Sequence, residues 1–353
     1  VLGWENRPAT PEELARMEAI LVRAFEEGGM GFSTGLIYPP GMYADRTELV
    51  ALCRVAAAYG GFFVVHLRNE GDHVLESTRE VAEICLEAGC PLHVSHLKVA
   101  GKANWGQAGT LLGLIDSYRQ RGVEITFDQY PYVAGSTMLD AVIPPRFHAG
   151  GTAGLIERLQ DPAVREEIRR IQDLVTPERW ENWVSLCGWD GIWVNAVTTE
   201  ANRSAEGRSI AELAAATGKR PIDVVCDLLV AEDDAVTMTV FYGCEEDVQA
   251  IMRHECMTIC SDGIVGGKPH PRVYNTCARF LVLGALLPAC TSSPPPPSVP
   301  PQTSALWGDI KPAVSVKELM KYVIDPVADN IFNAVGSTLT KQGMVDIAPK
   351  TEE

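Results

Sequence analysis

The chain has 353 residues, 46% of them hydrophobic and 22% charged, an ordinary globular composition with length for one large or two medium domains. With 46 acidic residues against 30 basic ones and a formal net charge of -16, attraction to phosphate backbones or anionic lipid is disfavoured, which sets aside nucleic acid and a membrane surface as partners. Ten cysteines without paired short spacings or a secretory start suit the scattered reduced thiols of a cytoplasmic protein rather than a disulfide frame.

Val1-Leu2-Gly3-Trp4 resembles neither a signal peptide nor a start, so the chain is expected to begin in mid-domain. From about residue 10 to 130 a strand-then-helix unit recurs, with strands expected near Ser33, His66, His96 and Asp128, at the interval of about 30 residues that a βα unit needs. Thr10-Pro11-Glu12-Glu13 forms a capping box with proline at the first helical position, and Gly28-Gly29 closes that helix. Asp45 to Glu48 and Ser77 to Glu80 repeat the capping pattern. After Ser77, the residues Val81, Ile84, Cys85 and Ala88 share one helical face, which predicts burial against a sheet. The strands are apolar on both sides, as in a parallel sheet covered by helices.

Between about residues 140 and 205 the period breaks; this segment, with a helix expected over Asp161 to Leu174, is read as an insertion over the mouth of a barrel. The alternation then resumes with a helix capped by Ser209 and Glu212, a helix near Ile222 to Val230, a strand at Met238 to Tyr242, a helix at Glu245 to His254, and a strand running into Asp262.

Residues 276–312 hold an apolar run, Phe280 to Leu287, and the Pro-rich stretch Ser292 to Pro301. The run is too short to span a bilayer as a helix. Arg279 through Cys290 looks like the hydrophobic region and lipid-attachment cysteine of a bacterial lipoprotein signal, but internal placement favours an ordinary core element followed by a linker. Residues 313–353 form a tail with one amphipathic helix expected over Val316 to Asn330.

Chemistry concentrates at three strand ends. His66 closes Phe62-Phe63-Val64-Val65-His66, His96 closes Leu92-His93-Val94-Ser95-His96, and Asp262 follows Met257-Thr258-Ile259-Cys260-Ser261. In a parallel barrel the carboxyl ends of the strands form the mouth, so two imidazoles and a carboxylate there would converge and suit a divalent metal. Strand alternation puts Val64, His66 and Arg68 on one face, and Val94, His96 and Lys98 on one face, with His93 turned away from His96. Either histidine alone reads more readily as structural; three donors at equivalent strand ends shift that balance. Asp128 has the parity to face inward and equally the position to cap the next loop.

Five motifs in fixed order complete the picture: Gly31 to Gly41, His66-Leu67-Arg68-Asn69-Glu70-Gly71, Val94-Ser95-His96-Leu97-Lys98, Asp128-Gln129-Tyr130-Pro131-Tyr132, and Ser261-Asp262-Gly263 with His270-Pro271-Arg272. Over residues 1–275 the chain resembles the N-acyl-D-amino-acid deacylases (D-aminoacylases) of the amidohydrolase superfamily. The resemblance implies a partial TIM-like (β/α) barrel, His66, His96 and Asp262 as ligands of a zinc ion, and Asp262 as the general base. It implies substrate contacts from Tyr38, Lys98 and Arg272, and a small-molecule N-acyl amino acid as substrate. The family's opening His-x-His does not occur in the chain, so five of eight barrel strands are expected, with two open edges. Strand-end histidines would also serve a cyclic-amide hydrolase of the dihydroorotase kind, against which the Gly31 to Gly41 loop and the Asp128 to Tyr132 run weigh. A noncatalytic, lipoprotein-like fusion is the third reading.

Overall fold

The computed structural model describes residues 1–172, 180–286, 337–340 and 343–346. Two units divide the chain, Val1–Cys290 and Thr291–Glu353. Of the second, the described part is an antiparallel pair of strands, β9 (Ser337–Thr340) and β10 (Gly343–Asp346); the section from Leu287 to Cys290, the Pro-rich stretch and the expected helix over Val316 to Asn330 lie outside the described residues.

The first unit opens with helix α1 (Pro11–Glu26), whose Thr10 hydroxyl accepts from the Glu13 amide while the Glu13 carboxylate accepts from the Thr10 amide. Three strand-helix repeats and a fourth strand follow in chain order: β1 (Gly31–Gly35), α2 (Arg46–Ala58), β2 (Phe62–His66), α3 (Val74–Ala88), β3 (Leu92–Val94), α4 (Ala108–Gln120) and β4 (Ile125–Gln129). Asp45 caps α2 as expected. Ser77 does not cap α3: it lies buried inside a helix that begins at Val74, because Asn69 Oδ1 accepts from the Gly71 and His73 amides and turns the chain earlier.

A long excursion separates β4 from the last barrel strand. It comprises β5 (Ala134–Met138), α5 (Gly151–Leu159), α6 (Pro162–Gln172), α7 (Trp183–Cys187), β6 (Ile192–Ala196), α8 (Ile210–Thr217), α9 (Pro221–Ala231) and β7 (Thr237–Phe241). The capping box of Ser209 and Glu212 on α8 forms as expected. The expected strand at Met238 to Tyr242 exists, but it does not resume the barrel. It pairs antiparallel with β5 and β6 in a separate sheet of order β5-β7-β6. The excursion therefore runs beyond the expected end near residue 205, and its helices α8 and α9 pack in the same apolar cluster as Ile192, Val194, Met238 and Val240. Helix α10 (Glu245–Met252) then leads to β8 (Met257–Ile259), and α11 (Arg272–Leu286) takes up most of the apolar run. No described helix is long and apolar enough to cross a membrane.

The parallel sheet has the order β1-β2-β3-β4-β8. Among the described residues β1 and β8 are its edges. Phe63 and Val65 stand in register with Leu92 and Val94, which stand in register with Ile125 and Phe127. All six are buried under α2, α3 and α4, beside Leu49, Val81, Ile84, Cys85, Leu111 and Ile115. Burial of a Phe or Leu side chain contributes about 1.5–3 kcal/mol, so this face holds the repeats together. The opposite face of the sheet carries His66, His93 and Asp128.

One half-buried carboxyl gives the excursion a pH signature. Asp140, in the turn after β5, is pushed up to about 7 by burial and by the charge of Asp234. The folded chain then keeps a proton that the unfolded chain releases above about 4, so stability falls as pH rises through that window. Asp140→Asn is expected to flatten this slope and to be the more stable protein at pH 8, by on the order of 2 kcal/mol. Urea midpoints of both proteins at pH 5 and pH 8 check this; equal slopes would contradict it.

Candidate metal centre

His66 is the last residue of β2, and its ring lies 4.4 Å from that of His96. His96 reaches the site by a different route from the one alternation suggests. Val94 points into the helix-covered core, so strand parity would send His96 there as well. The strand ends at Val94, and His96 takes a left-handed backbone with φ 41° that swings its ring to the other face. The same bend invalidates the expected orientation of His93. His93 lies in register with Val64 and Thr126 on the site-side face, where its ring bonds Thr126 Oγ1 at 2.8 Å and Asp128 Oδ2 at 3.2 Å. Asp128 also accepts the His96 backbone N–H, so it anchors the bend.

His66, Glu70 and His96 place one donor atom each within 4.8 Å of one another, the one such group among the described residues. Glu70 is 1% exposed. Its two oxygens accept from Lys98 Nζ at 2.6 and 2.7 Å. The same ammonium donates to His96 Nδ1 at 2.7 Å. His66 Nε2 is buried without a hydrogen bond and lies 3.4 Å from Glu70 Oε2. Two imidazoles and a carboxylate, with one buried ring nitrogen lacking a hydrogen bond, are a donor set that fits zinc.

Electrostatics support that reading. Burial holds His66 well below the usual histidine range, so its ring is neutral and able to ligate. Burial opposes ionisation of Glu70, but the Lys98 ammonium bonded to both of its oxygens outweighs it and keeps the carboxylate ionised. For Lys98 burial favours the neutral amine, and the Glu70 carboxylate reverses this to hold the ammonium.

Asp262 lines the same cavity but is not in that donor group. It sits beyond the end of β8 with φ 45°, and its carboxylate pairs with Arg272 Nη2 at 2.9 Å. Arg272 is 1% exposed; Nη2 also donates to the Ser136 carbonyl at 2.8 Å, and Nε has no partner. Its guanidinium stacks 4.4 Å from the Tyr130 ring. Tyr38 bonds Thr137 Oγ1 at 2.7 Å and meets the His66 ring edge-on; a Cβ on Gly35 would come within 2.9 Å of the Tyr38 ring, so glycine is required there. Arg68, grouped with His66 by parity, instead points away to Glu80 and the carbonyls of Met42 and Ala44.

The cavity measures about 320 Å³ and takes in all six expected positions, Tyr38, His66, His96, Lys98, Asp262 and Arg272. Glu70, Tyr130, Tyr242 and Trp183 also contribute to it and were not singled out by sequence. Glu70 and Tyr130 stand inside quoted motifs, Glu70 four residues after His66 and Tyr130 two after Asp128, so the signal was present. Glu181, fully buried, accepts the Glu70 amide at 2.9 Å through Oε1 while Oε2 is unpaired; burial and the Glu70 charge hold its carboxyl neutral. It comes from the excursion, and nothing in the local sequence marks it.

No family model matches the chain. An N-acyl-D-glutamate deacylase of Alcaligenes xylosoxydans xylosoxydans is 34% identical over 278 residues, covering 78% of this chain and 46% of that protein. A D-aminoacylase of the same organism is 32% identical, covering 78% of this chain and 47% of that one. Among solved structures, the N-acyl-D-glutamate deacylase of Bordetella bronchiseptica, complexed with zinc and a phosphonate mimic of the tetrahedral intermediate, superposes with a TM-score of 0.61 at 29% identity, over 79% of this chain and 50% of that one. The chain spans about half the length of the curated relatives it matches.

Proposed function

Since 78% of the chain belongs with the N-acyl-D-amino-acid deacylases (D-aminoacylases) of the amidohydrolase superfamily, we propose that it carries the zinc site and substrate clamp of an enzyme that hydrolyses the amide bond of N-acyl-D-amino acids. The observation that carries this reading is the single cavity holding His66, Glu70 and His96 beside Lys98, Asp262 and Arg272.

His66 and His96 would hold the zinc, with Asp262 as the ligand the resemblance implies and Glu70 beside them. When bound, zinc supplies a water of lowered pKa and polarises the amide carbonyl. Asp262 serves as the general base: its carboxylate takes the proton of the attacking water and returns one to the departing amine nitrogen, and Arg272 keeps it oriented. Arg272, with an unpaired Nε–H in the cavity wall, receives the substrate carboxylate in a charge-assisted bond. Lys98 is a second cation for that carboxylate once it exchanges its Glu70 contact. Burial raises the phenol pKa of Tyr38 and Tyr130, so both stay protonated donors toward the developing oxyanion. Relatives named as deacylases favour this reaction over cyclic-amide hydrolysis. A cytoplasmic setting suits the thiols of Cys53, Cys85 and Cys90, free and buried in one core.

Purified full chain is expected to retain zinc and to release amino acid from N-acetyl-D-amino acids and not from the L forms. Metal analysis with a chiral product assay checks this; a soluble protein with neither zinc nor hydrolysis would overturn it.

A further inference from the structure

Glu70 is held by more than its ion pair, and the group that fixes its backbone comes from the excursion. We infer that Glu181 is a positioning residue of the metal centre: it holds the Glu70 main chain so that the Glu70 carboxylate meets His66 and His96, and zinc binds weakly without it. This role rests on the metal site of the proposed deacylase, and it falls to a residue outside the donor group itself.

The excursion reaches the site as a strap. Trp180, Glu181, Asn182 and Trp183 are all buried, Glu181 completely, and α7 begins within the run. Leu186 on α7 seats the strap on both loops that carry the ion pair. A Cβ on Gly71 would come within 2.8 Å of the Leu186 side chain, and one on Gly101 within 2.6 Å. Gly71 directly follows Glu70, and Gly101 stands three residues after Lys98. The missing side chains at these two positions are what let the strap approach.

Inside this contact the Glu70 residue is tied at both ends. Its N–H donates to Glu181 Oε1 at 2.9 Å, and its C=O accepts from the Ala100 N–H at 2.8 Å. Strand β2 ends at His66, so no neighbouring strand is there to take the Glu70 N–H, and Glu181 stands in for one. The turn that follows is fixed separately, by Asn69 Oδ1 accepting from the Gly71 and His73 amides. Glu181 Oε2 is meanwhile buried with no partner. An unpaired buried acceptor is a cost to the fold, so packing gives no reason for a carboxyl at this position, and the bond to Glu70 does. Groups that orient a metal's ligands from outside the donor set change metal affinity by about 10–100-fold when they are removed.

The test is zinc affinity of the full chain, read by competition with a chromophoric chelator so that turnover is not required. Glu181→Leu keeps the bulk of the side chain and removes the acceptor, and it is expected to weaken zinc binding by about 10–100-fold. Glu181→Gln keeps an oxygen for the Glu70 amide and is expected to bind zinc nearly as tightly as the unsubstituted chain, an order of glutamine above leucine that a packing role would not produce. Asn182→Ala loosens the same strap, because Asn182 accepts from the Ser185 amide and donates to the Gln172 carbonyl, yet it leaves the Glu70 amide alone. That variant is expected to unfold at lower urea with zinc affinity unchanged. Should Glu181→Leu fail to fold, Glu181→Asp, one methylene short of the amide, carries the same comparison. A folded Glu181→Leu or Glu181→Asp chain that binds zinc as tightly as the unsubstituted one overturns the inference, and so does an equal loss in Glu181→Gln or in Asn182→Ala. If the unsubstituted chain binds zinc but hydrolyses no N-acyl-D-amino acid, the deacylase reading falls while the titration still decides the role of Glu181; if it binds no zinc, both fall.

Discussion

Replacing Glu70 by alanine is expected to destabilise the fold by about 3–5 kcal/mol, the cost of leaving one member of a buried ion pair without its partner. Lys98 is 7% exposed and its ammonium donates to both Glu70 oxygens. Removing the carboxylate strands that charge among His66, His96 and Tyr130 and takes away the main group that holds it ionised. The Glu70→Ala, Lys98→Met double variant removes both charges and is expected to recover most of the loss, because burying two apolar groups is cheaper than burying one charge. Urea unfolding of the single and double variants decides between this and a simple cavity effect. If the double variant is no more stable than Glu70→Ala, the pair is not what holds this corner of the barrel. Zinc retention is expected to fall in both, since Glu70 belongs to the donor group.

Replacing Asp262 by asparagine is expected to separate chemistry from metal binding. The asparagine keeps the size of the side chain and a hydrogen bond for Arg272 but cannot take a proton, so hydrolysis should fall by about 10²–10⁴-fold, the usual loss of a general base. The donor group of His66, Glu70 and His96 does not include Asp262, so zinc content should persist. Turnover assays beside metal analysis read the two effects independently. Retained turnover would remove Asp262 from the role of base; loss of zinc together with turnover would make it chiefly a ligand.

Much of this was legible in the sequence, and the parts that were not have physical causes. The βα repeats could be read because capping and helical periodicity are local: Thr10 with Glu13, and Val81 with Ile84 and Cys85, declare their helices without help from the rest of the chain. His66 could be placed because it terminates a regular strand. His96 belongs in the same cavity, yet the alternation argument that put it there was wrong in detail. A regular strand would have carried it under the helices with Val94, and the left-handed turn does the opposite. Strand Thr237–Phe241 shows another limit. Its composition announces a strand but not which sheet will take it, since that depends on pairing with Ala134–Met138 a hundred residues earlier. Glu181 is harder still, as its meaning lies entirely in the amide of Glu70, to which it is joined only by folding.

The two residues with φ near +40° at the mouth, His96 and Asp262, have a thermodynamic corollary. Left-handed backbone at a residue bearing a Cβ costs on the order of 1 kcal/mol or more, a cost glycine avoids. Both positions therefore hold side chains that stability alone would discard, and a search for more heat-resistant versions of this chain should recover glycine there, at the expense of whatever the two side chains do.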